Sequence, residues 1–160
     1  MSGDTIKVFV GCDPNNCDLE QMMVLDYSIR KHTQQPVEIV WMQLSRDENS
    51  AWFSDPANKR GWQTEKWATP FSGFRWAIPE YCGFEGRAIY MDADMQVFKN
   101  IEELWNLPFN SAKVLVQKEI KHLNVSMNKD NTPQKRIKQC AVMLLDCSRL
   151  DWDINNIVRN

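Results

Sequence analysis

Long apolar runs and an excess of basic charge are both missing from this sequence, and their absence excludes two classes of protein. No apolar stretch of the chain approaches the roughly 20 residues that a membrane-spanning helix needs. Lys and Arg number 19 against 21 Asp and Glu, so no basic surface for nucleic acid is expected. The start of the chain, Met-Ser-Gly-Asp-Thr, lacks the basic and apolar regions of a signal peptide, which predicts a cytoplasmic protein.

Cysteine pairs and histidines are also scarce. The five cysteines, at positions 12, 17, 82, 140 and 147, are odd in number and form no Cys-x-x-Cys motif. This spacing favours reduced thiols over a disulfide framework or a structural zinc site. His32 and His122 are the two histidines available as metal ligands. With 43% apolar and 25% charged residues the composition is that of a globular chain, and residues 1–160 are expected to form a single domain.

Tryptophan, by contrast, is abundant in the first half of the chain, at positions 41, 52, 62, 67 and 76. Packing explains most tryptophans in a globular protein, whereas those in loops can also stack on sugar rings, and the sequence does not separate the two roles. Residues 45–69 are polar and weakly periodic, so a long loop is predicted there. Loops of this length in compact domains are commonly functional.

A β-α-β unit opens the chain. Ile6–Val10 and Val37–Met42 are short β-prone apolar runs, which predicts two buried strands. Between them, apolar residues recur at three- and four-residue steps from Asp18 to His32, which predicts a helix with one apolar face. Such a unit normally places its strands side by side and parallel.

Strands and helices continue to alternate in the rest of the chain. Ser72 is expected to cap a helix that runs to Glu80, and Arg87–Met91 is predicted to be a strand. Further predictions are a helix over 100–105 and strands over 114–116 and 142–145. The predicted fold is therefore an α/β sandwich with a mostly parallel sheet.

Two aspartates one residue apart follow the strand Arg87–Met91 directly. Residues i and i+2 of an extended chain point the same way, so the carboxylates of Asp92 and Asp94 can converge on one cation. Open α/β sheets bind ligands at the carboxyl ends of their strands, where this pair is expected. Hard oxygen ligands suit Mg²⁺ or Mn²⁺, which bridge to phosphates. The alternative is a solvated turn in which the carboxylates only cap backbone N–H groups.

An Asp-x-Asp after an apolar strand also occurs in haloacid-dehalogenase-like phosphatases, where the first aspartate is the nucleophile. Their pattern continues with Thr or Val two residues after the second aspartate, whereas this chain has Gln96. They also carry the motif on the first strand, and here two predicted strands precede it. Both differences count against a phosphatase.

The longer segment around the pair, RAIYMDADMQVFKNIEELW over residues 87–105, resembles the core of glycosyltransferase family 8. That pattern is an apolar strand, an Asp-x-Asp and a short helix of the form asn-ile-x-glu-leu. Three further segments resemble the family in the same order: IKVFVGCD (6–13), FSGFRWAIP (71–79) and VMLLDCSR (142–149). The resemblance spans about residues 6–150. It implies a GT-A fold, which is a Rossmann-like α/β/α sandwich around a mostly parallel sheet, together with a nucleotide-sugar donor and a divalent metal.

The resemblance also implies roles for single residues. Asp92 and Asp94 would bind Mn²⁺ or Mg²⁺, and the backbone of Ala93 would lie against the donor ribose. Arg75 would neutralise the donor phosphates or hydrogen-bond the sugar, with an ion pair to Glu80 or another acid as the alternative. The residues that the resemblance places around the donor are Val10, Gly11, Cys12, Asp13, Arg75 and Ala93.

The chain departs from the family pattern at three points. Position 16 is Asn, where an aromatic residue stacking on the base is expected; uracil is the base that the family implies. Gln139-Cys140-Ala141 stands in place of asn-ser-gly, which makes Gln139 the candidate catalytic residue and sugar contact. The family's third metal ligand, a histidine beyond the last strand, has no counterpart before Asn160, so water or His122 is expected to complete the metal shell. A shortened C-terminal part would leave apolar surface open and favour a homodimer.

Three functional hypotheses follow. The leading one is a metal-dependent, retaining glycosyltransferase that moves a hexose from a UDP-sugar to an unidentified acceptor. The second is a nucleotide-sugar-binding or weakly hydrolytic module that lacks full transferase activity, as the missing histidine suggests. The third is phosphoryl chemistry on the same aspartate pair.

Overall fold

Strands and short helices alternate in this computed structural model, which describes residues 4–118 and 138–159. The strands are β1 (Ile6–Gly11), β2 (Val37–Met42), β3 (Ser54–Asp55), β4 (Arg60–Gly61), β5 (Arg87–Asp92), β6 (Val114–Lys118) and β7 (Lys138–Asp146). The α-helices are α1 (Leu19–His32), α2 (Ile78–Tyr81) and α3 (Glu102–Trp105). Two 3-10 turns, Phe74–Ala77 and Cys147–Arg149, and a π-helical turn, Asn155–Arg159, complete the set. Among the described helices, none is long and apolar enough to cross a membrane.

Five of these strands form one sheet, in the order β2-β1-β5-β7-β6, while β3 and β4 pair with each other. β1 lies parallel to both of its neighbours, with Gly11 opposite Met42 of β2 and Asp92 of β5. β7 runs antiparallel to β5 and to β6, so four of the five strands point the same way. The predicted mostly parallel sheet is therefore confirmed. Gly11, Met42 and Asp92 mark the carboxyl end of the sheet, where its adjacent parallel strands finish.

Apolar residues cover both faces of the sheet and complete the predicted α/β/α sandwich. On one face, Ile29 of α1 and Trp105 of α3 share a buried cluster with Val8. On the other face, Phe74 of the first 3-10 turn shares a buried cluster with Phe9. Val8 and Phe9 are consecutive residues of β1, and they face different clusters because side chains alternate along a strand.

The segment 45–69, predicted as one long loop, contains the small hairpin formed by β3 and β4. The hydroxyl of Ser54 donates a hydrogen bond to the carbonyl of Trp62 at 2.7 Å. Gly61 has a φ of 70°, and a Cβ there would lie 2.2 Å from the carbonyl oxygen of Phe53. Trp52 and Trp62 are 8% and 4% exposed, so packing accounts for these two tryptophans. Two-residue strands are too short to produce a periodicity that the sequence could show.

The helical segment after residue 72 begins later than predicted. Ser72 donates its hydroxyl hydrogen bond to the carbonyl of Thr69 at 3.2 Å and caps no helix, so the predicted cap is wrong. The segment starts as a 3-10 turn at Phe74 and continues into α2. Pro79 lies in the first turn of α2, where its missing N–H is no loss.

Candidate functional site

The two aspartates lie at the carboxyl end of the sheet, one as the last residue of β5 and the other in the turn that follows. Asp92 is half-buried, Asp94 is exposed, and the buried Ala93 separates them. Burial raises the pKa of Asp92, and the carboxylate of Asp94 adds to the rise. The hydrogen bond from Tyr90 and the charge of Arg75 act in the opposite direction. The two carboxylates therefore repel each other, and a shared cation would relieve that repulsion.

Tyr90 and Arg75 form a hydrogen-bonded network on Asp92. The hydroxyl of Tyr90 donates to Asp92 Oδ1 at 2.7 Å, and Arg75 Nη2 donates to the same hydroxyl at 3.2 Å. The guanidinium carbon of Arg75 lies 4.5 Å from the centre of the Tyr90 ring, and Nη2 is 3.8 Å from Asp92 Oδ1. Sequence reasoning gave Tyr90 no role because it stands among apolar strand residues. Its spacing of two from Asp92, which places both on one face of β5, is the signal that could have found it.

Arg75 belongs to the 3-10 turn and is held by backbone carbonyls on two sides. Its Nε donates to the carbonyl of Ser72 at 3.2 Å, and its Nη1 donates to the carbonyl of Cys140 at 2.9 Å. Its carboxylate partner is Asp92, in place of the alternative partner Glu80. Arg75 therefore connects the 3-10 turn, β7 and β5 at the carboxyl end of the sheet.

The donor-binding candidates of β1 lie directly beside the aspartates. Val10 and Gly11 are the last residues of β1, and Gly11 stands opposite Asp92 in the parallel pairing with β5. A Cβ at Gly11 would lie 3.1 Å from the ring of Phe71 and 3.5 Å from the hydroxyl of Tyr90. The structure therefore brings the end of β1 and the aspartate pair together, with little room for a side chain between them.

The turn after β1 is held by its own side chains and by Gln43, which follows β2. Asp13 Oδ1 accepts a hydrogen bond from the backbone N–H of Asn15 at 2.7 Å. Gln43 Nε2 donates to the carbonyl of Asp13 at 2.6 Å and to Asn16 Oδ1 at 2.8 Å. Asn16, where the family pattern has an aromatic residue, has a φ of 58°, which Asn tolerates better than most residues. Nothing in the sequence around Gln43 indicates this role, since the contact joins segments 30 and 27 residues apart.

Cys12 contributes packing beneath this turn. It is fully buried, and its thiol donates to the carbonyl of Val10 at 3.3 Å. Burial, together with the nearby Asp18, raises the pKa of Cys12 to about 12. The thiol is therefore neutral near pH 7 and unreactive.

The remaining site candidates differ in how the fold places them. Gln139 lies in β7 three residues before Val142, where the pairing of β7 with β5 begins. Because β7 and β5 are antiparallel, the residues of β7 that precede Val142 lie toward the carboxyl end of β5. His32 ends α1 and leads into β2 at the opposite end of the sheet, and His122 lies outside the described residues. Within residues 4–118 and 138–159, no group of three His, Cys, Asp or Glu side chains could hold a metal ion.

A cleft of about 720 Å³ lies at the opposite end of the sheet, where the parallel strands begin. Lys7, Arg87 and Asp146 are among the residues that line it. Ligands of open α/β sheets bind at the carboxyl ends of the strands, so cleft size does not locate the site here. The carboxyl end of the sheet around Asp92 is therefore the better candidate.

The sequence of the chain matches that of a known protein family. Residues 17–143 match the sequence profile described as Glycosyl transferase family 8. The chain belongs to this family. No curated protein sequence matches the chain.

The fold of this family 8 chain is shared by solved glycosyltransferases. GlyE of Streptococcus pneumoniae TIGR4 is similar with a TM-score of 0.59 at 15% identity, over 92% of this chain and 35% of that one. The bifunctional glycosyltransferase WbbM gives 0.59 at 18% identity, over 89% and 31%. The galactosyltransferase LgtC, in complex with donor and acceptor sugar analogues, gives 0.60 at 14% identity, over 95% and 62%. The chain spans less than two thirds of each of these proteins, and at such identities the likeness establishes the GT-A fold alone.

Proposed function

We propose that this protein is a metal-dependent glycosyltransferase that moves a hexose from a UDP-sugar to an acceptor with retention of configuration. The observation that supports it best is the position of Asp92 and Asp94 beside Gly11 at the carboxyl end of the sheet, in a chain of glycosyl transferase family 8. Nucleotides bind at this end of open α/β sheets. UDP and the retaining outcome are carried over from the family resemblance.

The aspartate pair fits Mn²⁺ or Mg²⁺ as the metal. Both residues offer hard carboxylate oxygens; burial, with a smaller contribution from the charge of Asp94, raises the pKa of Asp92. Mg²⁺ commonly binds through one or two carboxylates, several waters and substrate phosphates, so two aspartates can suffice. His122 remains a proposed further ligand. When bound, the metal would neutralise negative charge on the diphosphate leaving group.

The neighbouring residues have separate proposed tasks. Arg75 would bind the donor phosphates or the sugar, and its two carbonyl contacts hold the guanidinium in place before the donor arrives. The turn from Val10 to Asp13 would contact the base, and the backbone of Ala93 would lie against the ribose. Gln139 is proposed to contact the transferred sugar from β7. No residue is assigned as a nucleophile.

A second candidate function is a nucleotide-sugar-binding or weakly hydrolytic module. It uses the same aspartate pair beside Gly11 as the leading proposal and differs from it in transferring no sugar to an acceptor. Membership of glycosyl transferase family 8 favours both candidates over phosphoryl chemistry.

Calorimetry with UDP and UDP-hexoses, with and without Mn²⁺, tests the donor site. We expect binding that requires Mn²⁺ and is lost in Asp94→Ala, because removing one carboxylate removes a metal ligand. Asp151→Ala is the matched control, since Asp151 is an exposed aspartate outside the site and should leave the affinity unchanged. Phosphatase activity without binding of any nucleoside diphosphate would contradict both candidates. Release of UDP with sugar appearing on an added acceptor would decide for the transferase over the binding module.

We propose in addition that residues 1–160 act as one nucleotide-sugar-binding domain and that two copies form a homodimer. The apolar outer face of α1 supports the dimer, since Met23 and Tyr27 are 64% and 66% exposed. A cytoplasmic setting is supported by the free thiols, of which Cys17 and Cys140 are exposed.

A further inference from the structure

The hydroxyl of Tyr90 is a buried polar group beside the aspartate pair. Tyr90 is 1% exposed, so its hydroxyl must find its partners within the protein. It donates its one proton to Asp92 Oδ1 at 2.7 Å and accepts from Arg75 Nη2 at 3.2 Å. Gly11 lies beside this hydroxyl, since a Cβ there would be in ordinary van der Waals contact with it at 3.5 Å.

The direction of these hydrogen bonds is fixed by Arg75. A guanidinium can only donate, so the Tyr90 hydroxyl must point its proton toward the carboxylate. Arg75 is itself held by the carbonyls of Ser72 and Cys140, so it cannot turn freely. Its Nη2 lies 3.8 Å from Asp92 Oδ1, which is too long for a hydrogen bond. Within the described residues, the Tyr90 hydroxyl is therefore the group that orients the Asp92 carboxylate.

We propose that Tyr90 is a positioning residue that orients Asp92 for a divalent cation. The inference rests on the proposed function, because it assigns a task to Tyr90 only if Asp92 is a metal ligand. A hydrogen bond to a ligating carboxylate restricts its rotation, so less freedom is lost when the metal binds. Arg75 acts on Asp92 indirectly, because it sets the orientation of the Tyr90 hydroxyl that donates to Asp92.

The test is Mn²⁺ affinity measured by electron paramagnetic resonance, on the protein alone and with saturating UDP. Tyr90→Phe keeps the buried ring and removes only the hydroxyl. We expect it to weaken Mn²⁺ binding by about 10- to 100-fold, the range seen when partners of metal ligands are removed. The circular dichroism spectrum of Tyr90→Phe should match that of the wild type, because a purely structural defect would change the fold as well as the Mn²⁺ affinity.

Tyr81→Phe is the matched control, since it makes the same chemical change on a tyrosine that is 48% exposed and lies in α2. It should bind Mn²⁺ as the wild type does. Titrations are run below the unfolding transition of each variant, as judged by circular dichroism. Equal Mn²⁺ affinities of the wild type and Tyr90→Phe would overturn this inference alone. Failure of the wild type to bind Mn²⁺ with or without UDP would overturn the proposed function and this inference together.

Discussion

At the residue scale, Asp13 affects both the turn after β1 and a cysteine beside it. Its Oδ1 accepts the N–H of Asn15 at 2.7 Å, and its negative charge raises the pKa of the exposed Cys17. A raised thiol pKa means a smaller thiolate fraction at a given pH, and the thiolate is the reactive form. The reactivity of Cys17 therefore reports the charge of Asp13.

We predict that Asp13→Asn speeds alkylation of Cys17 by roughly two- to fivefold at about pH 8, near the ordinary thiol pKa. Removing the carboxylate lowers the pKa of Cys17, so more thiolate is present; above both pKa values the rates should converge. Mass spectrometry of peptides after timed iodoacetamide treatment measures the rate. Cys140, also exposed, is the internal control and should react equally in both proteins. Equal rates at Cys17 across the pH range would contradict the prediction.

At the element scale, an aromatic cluster holds the 3-10 turn that carries Arg75. Phe74 is fully buried. The centre of its ring lies 4.8 Å from that of Trp52, 5.1 Å from that of Trp62 and 5.4 Å from that of Trp67. Offset and edge-to-face aromatic pairs add to the stabilisation from burial. The tryptophan-rich segment 45–69 therefore stabilises the 3-10 turn that carries Arg75, because its tryptophans pack on Phe74.

Phe74→Ala should lower the free energy of unfolding by about 3–5 kcal/mol, because it leaves a cavity among the three tryptophans. Urea denaturation followed by tryptophan fluorescence measures the change. Phe84→Ala is the control. Because Phe84 is 43% exposed, this variant should lose much less free energy of unfolding than Phe74→Ala. Comparable losses in the two variants would show that the cluster does not hold the turn.

The elements with clear periodicity were predictable from sequence, and the others were not. α1 and the strands β1, β2 and β5 differ from their predicted bounds by no more than one residue, because each has a regular apolar pattern closed by a turn signal. The β3–β4 hairpin and the 3-10 turn were missed because their conformation depends on burial of Trp62 and Phe74 by distant segments. The prediction that Ser72 caps a helix was wrong because the Ser72 hydroxyl donates its hydrogen bond to the carbonyl of Thr69 within a turn.

At the scale of the whole molecule, the outer face of α1 is an apolar stripe with opposite charges at its two ends. Leu19, Met23 and Tyr27 are 49%, 64% and 66% exposed and recur every four residues. Glu20 lies in the first turn of the helix and Lys31 in the last. Two copies packed antiparallel across a twofold axis would place each Glu20 near the partner's Lys31.

Met23→Glu is therefore expected to convert the proposed homodimer to a monomer in analytical ultracentrifugation, because it places a charge in the apolar stripe. Ile157→Glu, at an apolar residue away from α1 that is 47% exposed against 64% for Met23, should leave the proposed dimer intact. Glu20→Lys and Lys31→Glu should each weaken the dimer, and the double variant should restore it. A wild type that stays monomeric at every concentration would rule the homodimer out.

Local sequence patterns were enough to predict the α/β order of elements, the strand before Asp92 and Asp94, and the family resemblance, because these depend on residues close together in the chain. Tertiary structure alone decided that Gly11 stands opposite Asp92 and that Gln43 holds the turn after β1. It also decided that Arg75 pairs with Tyr90 and Asp92 in place of Glu80. These contacts join residues 15 to 81 positions apart, and only the strand order of the sheet and the packing of the 3-10 turn against it bring them together. The local sequence pattern located the two carboxylates. Only the tertiary structure shows the hydrogen bond from Tyr90 to Asp92, from which we infer that Tyr90 orients this carboxylate.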